Sequence, residues 1–176
     1  TFLDHATVGL RHPVRRALIR VQAGIMRAFR EFLDGEGFTE IQSPKLVAAA
    51  TESGANVFAV RYFDQQAYLA QSPQFYKQVM VGVFERVYEV GPVFRAEPHD
   101  TTRHVNEYVS LDAEFGFIVD HFTIMALLTR LLHHIMTRLA ERQGAELALA
   151  ALRVPEVPDS IPHLHFRDAQ QGIFER

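Results

Sequence analysis

Charged side chains are concentrated in one short stretch of the sequence, FRAEPHDTTRHVNEY, at residues 94–108. Within it, Arg95 and Glu97 stand two residues apart, and Arg103 and His104 follow. Strand-like sequence lies on both sides, so the stretch is predicted to be the loop of a long hairpin. The planar fork of an arginine suits a phosphate or a carboxylate, and long loops in compact domains tend to be functional. The loop is therefore a candidate anion-binding site, with a merely solvated run of charges as the alternative.

Two acids mark the strand that follows this loop, VSLDAEFGF. Asp112 and Glu114 are two residues apart and point to the same face of a sheet, while the apolar residues that alternate with them predict a core-facing side. Paired carboxylates can hold an ammonium group or a metal ion, or they can simply face solvent. If the two strands pair, Arg95 and Glu97 share the face of Asp112 and Glu114, which gathers cations and acids around one pocket.

Composition and motifs exclude much other chemistry. The 176 residues contain no Cys, which excludes thiolate catalysis and disulfides and agrees with a cytoplasmic location. With a net charge of −3, the chain has no overall positive charge of the kind that binds nucleic acid non-specifically. No apolar run reaches the ~18–20 residues that a membrane span needs. Phosphate-binding glycine loops and H-E-x-x-H do not occur. Adjacent His133 and His134 are not expected to form a ligand pair, and Lys45 and Arg61 are interpreted as surface charges.

The hydrophobic pattern predicts an α+β domain, an antiparallel sheet flanked by helices. Apolar residues recur at steps of three and four between Pro13 and Gly35, which predicts a long amphipathic helix. A second long helix is predicted to begin after Asp120, a good N-cap, and to end at Gly144. The predicted buried face of the first helix contains Val14, Leu18, Val21, Ile25, Phe29 and Phe32.

The segment between the long helices predicts short strands and one shorter helix. Ser72 can cap that helix, which places Phe75, Val79 and Val83 on one apolar face. RVYEVGPVF is predicted to be one strand, or two strands broken at the Gly91–Pro92 pair. Too few helices separate the strands for a parallel doubly wound sheet.

Four stretches, taken together, resemble a known family. FRAEPHDTTRHVNEYVSLDAEFGF, within about residues 86–118, is similar to motif 2 of the class II aminoacyl-tRNA synthetases: a strand ending in F-R-x-E, a loop with R-H, and a strand with acids. GFTEIQSPKL, which ends motif 1 at about residues 13–47, contains the proline that lies at the dimer interface in that family, here Pro44. ATESGANVFAV and QSPQFYKQVM resemble the aspartate-specific subgroup, most closely its archaeal-type members.

This resemblance implies ATP as a substrate. Arg95 would bind the α-phosphate together with the aspartate carboxylate, a catalytic role in which its fork orients both reacting groups and stabilises charge. Glu97 would contact the adenine amino group. Arg103 and His104 would hold the outer phosphates and, next to Val105, cover the adenine.

The resemblance also implies a site for L-aspartate. Gln74 and Lys77 would line the amino-acid pocket, where a lysine favours a negative side chain. Arg95 would hold the substrate carboxylate and Asp112 its α-ammonium group. Glu52 resembles the acid of a mobile loop that closes over the amino acid.

Two positions depart from the subgroup, and larger parts of the family pattern are not found. Ser53 stands where glycine is usual and Pro98 where an acid is common, and neither change removes a binding group. Motif 3, with an ATP-gripping arginine and a Mg²⁺-binding acid, and the anticodon-binding OB domain do not occur in these residues. Residues 1–176 are therefore expected to form a single partial catalytic domain without metal ligands, inactive by itself.

The implied activity is that of an aspartate–tRNA ligase. ATP and L-aspartate would form aspartyl-adenylate, and the aspartyl group would pass to tRNA(Asp), with tRNA(Asn) as a second acceptor left open. The implied enzyme is a homodimer. Two alternatives stay open: a paralogue that makes asparagine from aspartate and ammonia, and a non-catalytic synthetase-like binding module, against which the intact charged residues argue.

Overall fold

The computed structural model describes residues 3–51, 56–99 and 101–174. After a 3₁₀ turn at Leu3–His5, the helices are α1 Ala6–Gly9, α2 Pro13–Gly35, α3 Gln74–Phe84, α4 His121–Arg142, α5 Gly144–Leu149 and α6 Phe166–Phe174. The strands are β1 Thr39–Glu40, β2 Leu46–Val47, β3 Ala59–Tyr62, β4 Gln65–Leu69, β5 Arg86–Phe94 and β6 Glu107–Phe115. Both long helices were predicted with nearly these bounds, whereas α5, which begins at the predicted stop Gly144, was not.

The described strands form two sheets, ordered β1-β5-β6 and β2-β4-β3. β5 and β6 are antiparallel over nine residues each, from Arg86 opposite Phe115 to Phe94 opposite Glu107. β1 joins β5 in parallel, because the chain between them crosses over through the second sheet and α3. The predicted α+β class is confirmed, and the parallel pair is a detail that the sequence did not indicate.

Pro92 does not break β5, which settles the alternative of two strands. Ile41 donates its N–H to the carbonyl of Tyr88, and Phe94 donates its N–H to Ala70, so alternate residues of β5 bond on the side away from β6. Pro92 is an even-numbered position like Tyr88 and Phe94, so its backbone nitrogen lies on the side away from β6. On that side β1 pairs only with the start of β5. The missing N–H of proline is therefore not needed by the β5–β6 ladder.

The hydrophobic core lies between one face of the β5–β6 pair and the helices α2 and α4. Tyr88 and Val90 of β5 and Leu111 of β6 pack against it. In α2 the buried residues are Ala17, Val21, Gly24, Ala28, Phe29 and Leu33. The expected contribution of Leu18 is wrong, since this residue is 46 % exposed and the buried stripe passes through Ala17 and Leu33 instead.

Helix α3 packs on the opposite face of the sheet, and the side of the helix that was predicted to be buried is exposed. Ser72 Oγ accepts the N–H of Gln74, as expected of a cap. The predicted apolar face, however, is exposed: Phe75, Val79 and Val83 keep 54–68 % of their surface. The buried residue of α3 is Lys77, because the sheet face beneath this helix carries acids.

Among the described residues, no helix is both long enough and apolar enough to cross a membrane.

Candidate functional site

A cavity of about 610 Å³ lies where β5 ends and the following loop folds over. It is lined by Arg95, Glu97, His99, Arg103, His104, Val105 and Tyr108, here called the loop cavity. The five residues that the family resemblance assigns to ATP therefore lie around one space. Its size falls within the range of small-ligand sites in proteins.

Short-range hydrogen bonds shape the loop. Thr101 and His104 form an isolated β-bridge, with 2.6 Å between Thr101 Oγ1 and His104 Nδ1. The ring of His99 lies 5.0 Å from that of His104, and the backbone N–H of Arg103 donates to Thr101 Oγ1. Arg95 donates its backbone N–H to Asn106, which continues the strand ladder into the loop. The turn thus holds Arg103 and His104 on the cavity opposite the end of β5.

The charges of the loop cavity favour an anion. Among its described lining residues are two guanidinium groups, Arg95 and Arg103, and one carboxylate, Glu97. Arg103 and His104 are exposed, while Arg95 and Glu97 are half-buried. The charged groups that line the cavity therefore lie at different depths below the protein surface. The rings of His104 and Tyr108 add flat surfaces that could cover a planar group.

A second group of charges lies further along the same strands. Nζ of Lys77 donates to Oδ1 of Asp112 at 2.8 Å and lies 3.2 Å from Oε2 of Glu114. Ser110 donates its hydroxyl to Oδ2 of Asp112. The side chain of Lys77 is only 11 % exposed. Asp112 and Glu114 are therefore held by a buried cation, and the alternative of a merely solvated face does not apply.

Opposing effects act on the pKa of Lys77. Burial by itself would lower the pKa, because a charged ammonium loses hydration. The hydrogen bond to Asp112 and the negative charges of Asp112 and Glu114 outweigh burial and raise the pKa above its usual value. The lysine therefore stays charged at neutral pH and can attract a carboxylate.

A second lysine corrects another expectation. Lys45, interpreted from the sequence as a surface charge, forms an ion pair with Glu89, which is 2 % exposed. Glu89 also accepts the backbone N–H of Ser43 at 3.0 Å, and Lys45 donates to Ser43 Oγ at 3.1 Å. One signal was available: Glu89 interrupts the apolar strand RVYEVGPVF, and such an acid needs a partner when buried. The strand cluster is the set Lys45, Lys77, Glu89, Asp112 and Glu114.

The loop cavity and the strand cluster lie on one sheet face. In the β5–β6 register Glu89 is opposite Asp112 and Gly91 is opposite Ser110, so alternate positions from Glu89 to Arg95 share that face. The backbone levels of Arg95 and Asp112 are six residues apart along the ladder, a rise of roughly 20 Å at ~3.3 Å each, part of which the long arginine side chain can bridge. Gly91 lies between them, where a Cβ would come within 3.0 Å of Glu89 Oε1.

The remaining predicted residues are placed as follows. Gln74 begins α3, one turn before Lys77, and is half-buried. Pro44 is exposed between Ser43 and Lys45, and its predicted role at a dimer interface stays a prediction. Glu52 lies outside the described residues, as does Ser53.

The two adjacent histidines of α4, His133 and His134, contact other parts of the protein. His133 Nε2 lies 3.0 Å from the carbonyl oxygen of Pro158, and His134 lies beside Glu31 of α2. No group of three His, Asp or Glu side chains in the described ranges could hold a metal ion.

Comparison with known proteins places the chain in a family. Residues 1–174 match the family described as tRNA synthetases class II (D, K and N). The chain is 53 % identical over its whole length to an aspartate–tRNA(Asp/Asn) ligase of Deinococcus radiodurans, of which it covers 40 %. It is 41 % identical over 96 % of its length to an aspartate–tRNA(Asp) ligase of Pyrococcus abyssi, of which it covers 39 %.

A solved structure gives the same result. Asparaginyl-tRNA synthetase of Pyrococcus horikoshii, complexed with asparaginyl-adenylate, superposes with a TM-score of 0.90 and 30 % identity. That match covers 99 % of this chain and 41 % of the other. The chain belongs to the class II tRNA synthetases of the D, K and N group. It spans about two fifths of the length of the relatives it matches.

Proposed function

We propose that the polypeptide carrying this chain is an aspartate–tRNA ligase, which forms aspartyl-adenylate from ATP and L-aspartate and transfers the aspartyl group to tRNA. One observation carries the proposal: among the described residues, a single sheet face has a cavity with more cations than acids at one end and a cluster with more acids than cations at the other. An adenylate-forming enzyme needs a site for phosphates and, on the same face, a site for an amino group. The relatives named above are tRNA ligases, which favours this activity over asparagine formation or a non-catalytic module.

Arg95 is the proposed catalytic residue. The carboxylate of aspartate attacks the α-phosphorus of ATP, and pyrophosphate leaves. A guanidinium fork that bridges carboxylate and α-phosphate brings the two negative groups together and stabilises the charge that develops during transfer. Its place at the end of β5, half-buried beside Glu97, gives the fork a rigid support.

The other residues of the loop cavity bind the nucleotide in this proposal. Arg103 and His104 attract the outer phosphates from the exposed side of the loop. Glu97 accepts a hydrogen bond from the adenine amino group, and Val105 covers the ring. None of these groups needs to exchange a proton with the substrate.

The strand cluster provides the aspartate site. Lys77 receives the side-chain carboxylate of the substrate, which favours aspartate over asparagine. Asp112 receives the α-ammonium group, and Gln74 lies one helical turn from Lys77 on the same side of α3. Glu52 is proposed to close over the amino acid.

Further parts of the enzyme are proposed to come from outside these residues. Motif 3, the protein ligands of Mg²⁺ and an anticodon-binding OB domain would complete the catalytic and tRNA sites. Pro44 is proposed to lie in a homodimer interface. We place the enzyme in the cytoplasm, where tRNA charging supports translation.

The choice between tRNA acceptors rests on a comparison of relatives. The Deinococcus radiodurans relative is named for both tRNA(Asp) and tRNA(Asn), and the less similar Pyrococcus abyssi relative for tRNA(Asp) alone. We propose that the enzyme charges both tRNAs, because the more similar of these relatives does.

Aminoacylation of tRNA(Asp) and tRNA(Asn) by the full-length protein tests the proposal. Radiolabelled aspartate should appear on both tRNAs, and labelled asparagine on neither. A protein that forms asparagine from aspartate and ammonia without charging tRNA would contradict the ligase. Charging of tRNA(Asp) alone would contradict only the proposal that tRNA(Asn) is a second acceptor.

A further inference from the structure

We propose that Lys45 is a positioning residue for the amino-acid pocket: by holding Glu89, it leaves Lys77 free to hold Asp112 and Glu114. This inference rests on the proposed function, since it takes Lys77 and Asp112 as the groups that receive aspartate. Lys45 itself touches no substrate in this proposal and acts only through Glu89.

The starting point is a pair of like charges on neighbouring strands. Glu89 of β5 lies directly opposite Asp112 of β6 in the antiparallel register. Side chains in such positions have Cβ atoms only about 5 Å apart. Glu89 is almost completely buried and Asp112 keeps 20 % of its side-chain surface, so water screens their repulsion poorly.

Each of the two carboxylates is held by its own lysine. Glu89 accepts from the ammonium of Lys45 and from the backbone N–H of Ser43. Asp112 accepts from the ammonium of Lys77 and the hydroxyl of Ser110. The whole sequence contains two lysines, Lys45 and Lys77, and both are placed against this one sheet face.

Removal of the Lys45 charge would therefore change the balance around Lys77. Glu89 would keep the N–H of Ser43 but would become a buried carboxylate without a cation, an expensive state. The cation across the ladder is Lys77, which already serves Asp112 and Glu114. Sharing Lys77 among three carboxylates would weaken its grip on the substrate carboxylate and pull Asp112 from the place of the ammonium group. The loop cavity, at the other end of the ladder, would be little affected.

The test uses the full-length protein and ATP–pyrophosphate exchange, with KM measured separately for aspartate and ATP. The variants are Lys45→Met, Lys45→Arg, the double variant Lys45→Met/Glu89→Gln, and Arg61→Met as the matched control. Arg61 is an exposed cation of β3 whose guanidinium contacts the carbonyl oxygen of Phe63. Thermal melts establish that each variant is folded at the assay temperature.

We expect Lys45→Met to raise KM for aspartate about tenfold, a size usual for coupled charges, and to leave KM for ATP within about twofold. The double variant should return KM for aspartate close to wild type, because no buried charge is left to compete for Lys77. Lys45→Arg should also stay near wild type, since it keeps the cation. If Lys45→Met does not fold, Lys45→Gln, which also removes the charge, takes its place in every comparison.

A double variant with KM for aspartate as high as that of Lys45→Met would overturn the inference, because lost packing would then explain the effect. An equal rise in both KM values in Lys45→Met would overturn it as well. Lys77→Met and Asp112→Asn separate this failure from failure of the proposed function. If those two leave KM for aspartate unchanged, the assigned pocket itself is wrong; if they raise it while Lys45→Met does not, only the role of Lys45 is wrong.

Discussion

The loop cavity and the strand cluster share a sheet face but differ in how their charges are satisfied. In the strand cluster two lysines and three carboxylates pair within the protein, and at least one partner of each described contact is largely buried. In the loop cavity Arg103 and His104 are exposed and lie on a loop tip held by short-range bonds. The strand cluster is thus preorganised before a ligand arrives, whereas the loop cavity relies on the ligand's own charge to complete it.

The net charges of the two regions differ in sign as well. Two ammonium groups against three carboxylates leave the strand cluster with one negative charge. The described lining residues of the loop cavity, two guanidinium groups and the carboxylate of Glu97, sum to one positive charge when its histidines are neutral. An amino acid with its ammonium at the first and a nucleotide with its phosphates at the second would neutralise both.

The largest expected effect concerns both regions at once. Residues 1–176 produced alone should show no ATP–pyrophosphate exchange with aspartate above background. The physical reason is that the loop cavity is open on one side and offers two guanidinium groups. These are too few cations to hold three phosphates in line for attack. Exchange at the rate of the full-length protein would show that the two regions suffice.

Arg95→Ala should have the next largest effect, because this residue is the proposed link between the regions. Loss of one preorganised charge stabiliser typically lowers kcat by about 100- to 1000-fold. Steady-state exchange by the full-length variant measures the loss, with Arg61→Ala as a control for removal of an arginine. A decrease of less than about tenfold would be at odds with a catalytic Arg95.

A crossed pair of variants tests whether the two regions bind different halves of the substrates. Arg103→Ala should raise KM for ATP about tenfold, the weight of one charged hydrogen bond, and leave KM for aspartate unchanged. Lys77→Met should do the reverse. Both KM values are obtained from the same exchange assay. Parallel changes in the two variants would mean that the division between phosphate and amino-acid regions is wrong.

How well the sequence predicted each region depends on how far apart along the chain the residues of that region lie. The loop cavity is built from residues 95–108, so a single hairpin brings its members together, and local pattern was enough to group them. The strand cluster needs contacts between residues 44 positions apart, as in Lys45 and Glu89. No local pattern marks such a partner, and a lysine after a proline in a loop is usually exposed.

Helix α3 shows why amphipathic pattern misled in the same region. Phe75, Val79 and Val83 form a regular stripe, and burial of such a stripe is the usual outcome. Here the sheet face beneath α3 presents Asp112 and Glu114, so the helix turns Lys77 toward them and leaves the stripe outside. The orientation of this helix is decided by an ion pair that only the tertiary structure reveals.

Tyr88 offers a contrast on the other face of β5, next to Glu89. Its hydroxyl donates to Asp34 at 2.7 Å and lies 3.2 Å from Glu40, and its ring packs edge-on against Phe29. Tyr88→Phe should lower the stability by about 1 kcal/mol, since the buried tyrosine loses its hydrogen bonds to two carboxylates that are themselves exposed to water. Thermal melting of the full-length variant measures the loss, and exchange activity should stay unchanged, because this face belongs to the core. Tyr62→Phe, at an exposed ring, is the control.

The smallest expected effect concerns the pH dependence of the strand cluster. The pKa of Lys77 is raised above its usual value of 10.5 by Asp112 and Glu114 despite burial. A group whose pKa is higher in the folded state contributes stability that is complete below the unfolded pKa and is lost as pH rises through the folded one. The difference in melting temperature between wild type and Lys77→Met should therefore be constant from about pH 7 to 9 and shrink above about 10.5.

Arg27→Met, which removes an exposed cation of α2, should show no such shrinkage, because arginine does not titrate in this range. A difference that instead grows as pH rises through this range would mean that the neutral amine is the form held by the two carboxylates. Lys77 could not then attract the side-chain carboxylate of aspartate, and the preorganised charge that distinguishes the strand cluster from the loop cavity would be lost.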